Sequence, residues 1–197
     1  MVLQLRNKEH DDLHKTQLLG ATPEWWMEPL GGQGVFNGAF DHWKNGIPVG
    51  WEVYYENATS TFSQQTGGIA GNYCIRGGNS AANQRGSWVY SAIYIPVSET
   101  RDYNIHGAFR GSAAGCNLYF GAACYDAAKT FLNYSSALAA TAPGVNWVEY
   151  DRVIGPGGTA WVANTRYCRL FVYLQYSNTQ AAGAYIEADD LWWRPEP

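Results

Sequence analysis

The side chains that could carry acid–base chemistry in this chain are Asp126, Glu149, Asp151, Glu187 and His106. None of them sits in a recognisable catalytic motif. A glycosidase needs two carboxyl groups poised across a sugar bond, and no GxSxG elbow, HExxH pair or phosphate-binding loop is present. A non-catalytic protein is therefore the expectation. The four cysteines do not form a metal-binding CxxC pair. Cys116 and Cys124 share strand parity with Leu118, Phe120 and Ala122, and at about 3.3 Å per residue they lie beyond bridging distance of each other. Cys168 shares parity with Leu170, Val172 and Leu174. Buried, reduced thiols are the expectation, with a bridge from Cys168 to a neighbouring strand as the alternative.

Recognition chemistry is better supplied than catalysis. Two-residue alternation leaves Asn104, His106 and Arg110 outward in the segment from Tyr103 to Arg110. It leaves Arg169, Phe171, Tyr173 and Gln175 outward after Cys168, and Asn117, Tyr119 and Tyr125 outward in the segment before Asp126. In the segment from Trp88, taking Val89, Ile93 and Ile95 as core turns Trp88, Tyr90 and Tyr94 outward. Aromatic rings stack on the C–H faces of sugars, and planar Asn, Gln and Arg groups match their hydroxyls. The candidate glycan-binding set is Tyr90, Asn104, His106, Arg110, Tyr119, Tyr173 and Gln175. The same residue types also make a good protein interface.

The elements that must position these residues read as strands. Aromatics are 15% of the chain, charged residues only 15%, and Gly contributes 22 residues, a balance that favours strands and tight turns. Apolar patterning predicts strands near 35–40, 51–56, 71–76, 87–95, 102–110, 116–125, 146–154, 166–176 and 184–193, separated by Gly, Asn, Ser and Pro turns. No fixed repeat or βαβ pattern is present. The fold class expected is an all-β antiparallel sandwich over 35–197, preceded by an arm and linker over 1–34. The arm reads as a short helix to about Leu19, with Leu13 and Leu18 on one side. The linker holds Trp25 and Trp26 among Pro and Gly residues. A helix this short needs a partner, so Leu13, Leu18, Trp25 and Trp26 are the candidate docking or homo-oligomerisation residues; a frayed tail is the alternative.

The net charge of −4 and the lack of a Lys/Arg cluster argue against nucleic acid and against an anionic membrane surface. No stretch reaches the roughly 18–20 apolar residues that span a bilayer. Arg6, Lys8, Glu9, Asp11, Asp12 and Lys15 break up any secretory signal, so synthesis in a cytoplasm is expected.

Several segments carry a family pattern in order. They are Phe36-Asn37-Gly38-Ala39-Phe40-Asp41, Trp43, Gly46-Ile47-Pro48-Val49-Gly50-Trp51, Gly71-Asn72-Tyr73-Cys74-Ile75-Arg76, Asn146-Trp147-Val148-Glu149-Tyr150, and the closing Tyr185-Ile186-Glu187-Ala188-Asp189-Asp190-Leu191. Together they resemble the jelly-roll carbohydrate-binding modules of families 4, 9 and 22, a fold also found in phage virion proteins. The resemblance covers about 160 residues and omits the first 34. It implies a jelly-roll sandwich with one sheet face forming a cleft. It also implies a structural calcium ion shared by the first and last strands, with Asp41, Asp189 and Asp190 at the matching positions; the alternative is a turn-capping Asp41 beside two solvated acids. Two functions follow as expectations. One is a virion component, capsid decoration or tail, docked on capsid or tail protein through its arm and displaying the sandwich to cell-surface glycans. The other is a secreted accessory module of a polysaccharide-degrading enzyme, binding plant polysaccharide.

Overall fold

The computed structural model describes residues 37–55, 60–80, 87–112, 117–141, 144–174 and 182–196. The arm residues Leu13, Leu18, Trp25 and Trp26, and Gln175, lie outside the described residues. The described residues form strands and turns with no helix. In chain order the strands are β1 (Trp43–Lys44), β2 (Ile47–Pro48), β3 (Trp51–Tyr55), β4 (Ser60–Thr66), β5 (Tyr73–Asn79), β6 (Ser87–Ser91), β7 (Ile95–Pro96), β8 (Tyr103–Gly111), β9 (Asn117–Tyr125), β10 (Phe131–Thr141), β11 (Val148–Ile154), β12 (Tyr167–Leu174) and β13 (Tyr185–Pro195).

Two antiparallel sheets make the sandwich, as the alternation predicts. One runs β10-β9-β12-β6-β3, with β7 also paired to β12; the other runs β11-β8-β13-β5-β4. The core lies between them. Val89, Leu118, Phe120, Leu170 and Val172 from the first sheet face Ile75, Ile105, Phe109, Ile186 and Trp193 from the second. At about 25 cal/mol per Å² of apolar surface removed from water, this layer is the main drive for the fold. Cys74, Cys124 and Cys168 are buried and free. Cys124 and Cys168 are register partners on the inner face without a bond between them. Burial pushes the Cys74 thiol up to about 12, so it stays protonated and inert.

The opening motif acquires physical roles. Asn37 Nδ2 donates to the carbonyls of His42 (2.8 Å) and Val49 (2.9 Å), and its Oδ1 accepts from His42 N (3.1 Å). Gly38 accepts from Leu191 N at 3.0 Å, and a Cβ there would stand 1.8 Å from the Leu191 carbonyl oxygen. Only glycine permits that approach. Phe40 then enters the core against Trp51, with ring centres 5.2 Å apart. Asn37 and Phe40 adopt φ of 56° and 49°, which explains a turn here instead of the strand expected at 35–40. Four strands, the two-residue β1 and β2 and the longer β4 and β10, lie where no strand is expected. The segment expected as one strand over 87–95 bends into β6 and β7.

Candidate functional site

Alternation assigns the faces of β8, β9 and β12 as expected, but these strands do not share a sheet. β8 lies in one sheet and β6, β9 and β12 in the other. The candidate set therefore divides. Asn104, His106 and Arg110 occupy the outer face of the second sheet, and Tyr90, Tyr119 and Tyr173 the outer face of the first. No single cleft contains all of them.

On the second sheet the polar groups are turned toward one another. Glu187 is fully buried. It accepts from Arg76 Nε at 2.8 Å and Nη2 at 2.5 Å, and from Arg110 Nε. The rings of Tyr185 and Trp147 cover the two guanidinium groups at 3.8 and 4.4 Å. His106 stacks on Trp192 with centroids 4.7 Å apart and planes 5° off parallel. Its Nδ1 lies 2.9 Å from Asp151 Oδ1. Its Nε2 is 3.4 Å from Asp190 Oδ2, close enough for an ion pair but without hydrogen-bond geometry. Asn104 is half-buried at the β8 position flanked by Val153 and Arg194. This face braces its own strands.

The first sheet presents a different surface. Register places its outward residues in rows across the strands: Phe131, Tyr125, Tyr167 and Pro96; then Tyr134, Ala123 and Arg169; then Ser136, Gly121, Phe171, Tyr90 and Glu52; then Ala139, Tyr119 and Tyr173. The floor is small at Gly121 and Ala123. Above it, Tyr90 from β6 and Tyr134 from β10 reach across the two intervening strands until their hydroxyls meet at 2.6 Å. Both rings also contact Phe171 edge-on, at 6.4 and 5.1 Å. Side chains on an outer face thus bury one another: Tyr90 is only 4% exposed. Burial, followed by the Tyr134 hydrogen bond, raises the Tyr90 phenol above its ordinary value, so it remains a neutral hydrogen-bonding group.

The rim is open to solvent in part. Tyr54, 64% exposed, lies 4.9 Å from Tyr90 between ring centres. Tyr119 sits 6.4 Å from Tyr173. Tyr94 meets Tyr125 edge-on at 4.8 Å. Arg169, 8% exposed, donates from Nε to Ser91 O at 2.6 Å and from Nη2 to Glu52 Oε2 at 2.5 Å. Its guanidinium lies 5.3 Å from the Tyr90 ring centre and 5.4 Å from that of Tyr94. The residues of this face beyond the candidate set are Glu52, Tyr54, Tyr94, Tyr125, Tyr134, Tyr167, Arg169 and Phe171, with Lys129 against the Tyr94 and Tyr167 rings. Tyr94, Tyr125, Arg169 and Phe171 were readable as outward by parity. Tyr54 and Glu52 alternate with core-facing Trp51 and Val53, a signal of the same kind. Tyr134 lies on the bulged β10, where alternation fails.

Asp189 Oδ2 accepts from Ile69 N (2.6 Å) and Ala70 N (3.0 Å), and Asp41 Oδ1 from Asn72 N (2.8 Å) and Tyr73 N (3.2 Å). Both carboxylates grip the turn between β4 and β5, one from each end of the fold. A Cβ on Gly71 would stand 2.3 Å from Asp41 Oδ2, and one on Gly68 2.6 Å from Asp189 Oδ2. Asp189 Oδ1 is buried without a partner, and burial pushes this carboxyl up to about 6. An orphaned oxygen short of positive charge, beside glycines that leave room only for the carboxylates, fits a hard cation. Asp190 does not join them: a bulge between Asp189 and Trp192, with Asp190 at φ 50°, turns it to His106. Among the described residues no three His, Cys, Asp or Glu side chains cluster as a metal site, so remaining ligands would be backbone carbonyls and water.

No family model matches the chain, and no curated protein matches it. Solved structures do. An arabinose-bound MgGH51 α-L-arabinofuranosidase superposes at TM-score 0.55 and 16% identity, covering 82% of this chain and 26% of that one. TmCBM61 in complex with β-1,4-galactotriose superposes at 0.54 and 13%, covering 83% and 99%. The enzymatically active domain of tailspike protein 4 from bacteriophage CBA120 superposes at 0.55 and 9%, covering 83% and 21%. This chain thus spans nearly all of the isolated module but about a quarter of the arabinofuranosidase and a fifth of the tailspike domain. The sandwich has the fold of carbohydrate-binding modules, as the ordered motifs imply.

Proposed function

We propose that this chain is a non-catalytic glycan-binding module whose recognition surface is the tyrosine-lined outer face of the β10-β9-β12-β6-β3 sheet. The observation that carries the reading is the set of cross-strand rows, in which rings from β6, β9, β10 and β12 lie together beside Arg169 and Glu52, with Tyr54 of β3 against Tyr90. Rings held by one another are pre-organised, so stacking a sugar on them costs little side-chain entropy. Non-catalysis is supported by the carboxylates. The rows carry one, Glu52, and it is ion-paired with Arg169, whereas sugar-bond hydrolysis needs two free to act. The test is retention of the protein in native gels containing soluble polysaccharides. Tyr54→Ala, a change at an exposed ring, is expected to weaken retention about tenfold, a base-like stacking contact being worth roughly 1–3 kcal/mol. Undiminished retention would remove this face from the site.

We assign the module to a virion, as a capsid or tail component docked on capsid or tail protein through residues 1–34. A phage tailspike containing this sandwich supports that carrier, and an arabinofuranosidase containing it supports the alternative, an accessory module of a secreted polysaccharide-degrading enzyme. Deleting residues 1–34 separates them by analytical ultracentrifugation. An oligomer that becomes monomeric is the virion outcome, while a monomer before and after deletion favours the accessory module. Calcium belongs to the reading as a structural ion held by Asp41 and Asp189, where it would supply the positive charge that the buried Asp189 carboxylate lacks.

A further inference from the structure

We infer that the tyrosine face takes an acidic glycan, a polymer bearing uronate carboxylates, with Lys129 and Arg169 as the groups that read its charge; this rests on the glycan-binding reading above. Two cations bracket one ring. Arg169 lies 5.4 Å from the Tyr94 ring centre and Lys129 Nζ 5.1 Å from it, with Lys129 also 5.5 Å from the Tyr167 centre. Neutral sugars need no such pair.

The backbone at Lys129 is committed to this placement. Its φ is 62°, a left-handed state that ordinarily goes to glycine or asparagine. The turn enforcing it is closed by Asp126. That carboxylate accepts from Ala128 N (2.9 Å) and Thr130 N (2.8 Å), and Lys129 N donates to Asp126 O (3.0 Å). A lysine stands where glycine would be easier, and its side chain lies over two tyrosines of this face. Among the described residues Lys129 makes no ion pair, so its charge is uncompensated. Arg169 shows what its own end of the surface accepts. Its guanidinium already holds one carboxylate, that of Glu52, whose side chain is 58% exposed. A ligand carboxylate can replace that exposed partner while the Ser91 carbonyl keeps the guanidinium in place.

The experiment measures retention of the full chain in gels containing polygalacturonate, alginate or hyaluronan, each run beside its carboxyl-reduced counterpart and beside neutral xylan and β-glucan. At least one acidic polymer is expected to bind about tenfold more tightly than its reduced form, the worth of one charge-assisted contact. Lys129→Gln is expected to lower that binding about fivefold, and Glu52→Gln, which frees Arg169, to raise it. Equal retention of acidic and reduced forms, with neutral polymers bound as well, overturns this inference and leaves the glycan-binding reading standing. If no polymer is retained, both fall.

Discussion

Asn37 illustrates how much one side chain decides. Its amide closes three hydrogen bonds to the backbone of His42 and Val49, which flank the β1–β2 hairpin, and its own carbonyl accepts from the Trp51 indole at 3.3 Å. Alanine would lose the side-chain bonds and keep a φ of 56° that asparagine tolerates better. At about 1 kcal/mol per bond, Asn37→Ala is expected to destabilise the fold by about 3 kcal/mol, lowering the thermal midpoint by roughly 6–12 °C. Calorimetry finding a change under about 0.5 kcal/mol would show that the motif is not the fold's N-terminal clasp. The residue types of the motif were legible in the sequence; the reason for each was not, because Gly38 meets Leu191 from the far end of the chain.

At the scale of elements, legibility followed periodicity. β8, β9, β12 and β13 alternate apolar and polar residues, and their bounds fall within two residues of expectation. β4, Ser60–Thr66, is a polar edge strand with one apolar side chain, Phe62, so alternation had nothing to mark. β10 is interrupted between Phe131 and Asn133 and between Ser136 and Leu138, which shifts the parity along the strand and hid Tyr134. Parity assigns a side chain to the outside but not to a sheet, and so Asn104, His106 and Arg110 were grouped with tyrosines on the opposite face. The β4–β5 turn, held by Asp41 and Asp189, is the element on which the proposed calcium ion would act. Adding millimolar calcium is expected to raise the thermal midpoint of chelator-treated protein by several degrees, and Asp189→Asn, which keeps an acceptor for Ile69 and Ala70, to abolish that rise. Identical melting with calcium and with chelator would exclude the ion.

For the whole molecule, the two outer faces of one sandwich have different occupations. The β11-β8-β13-β5-β4 face spends its charges on itself, with Glu187 clamped between two arginines and His106 between Trp192 and two acids. The β10-β9-β12-β6-β3 face gathers tyrosines around a small floor and leaves rings and cations at its rim. The proposed binding belongs to the second of these. The direct measurement is polysaccharide retention by variants of each face, each first confirmed folded by near-ultraviolet circular dichroism. Tyr54→Ala with Tyr119→Ala is expected to reduce retention at least tenfold, while Asn104→Ala with Trp147→Ala leaves it within about twofold. Loss confined to the Asn104 and Trp147 variant, or no retention of any polymer by the unmodified protein, would contradict the account.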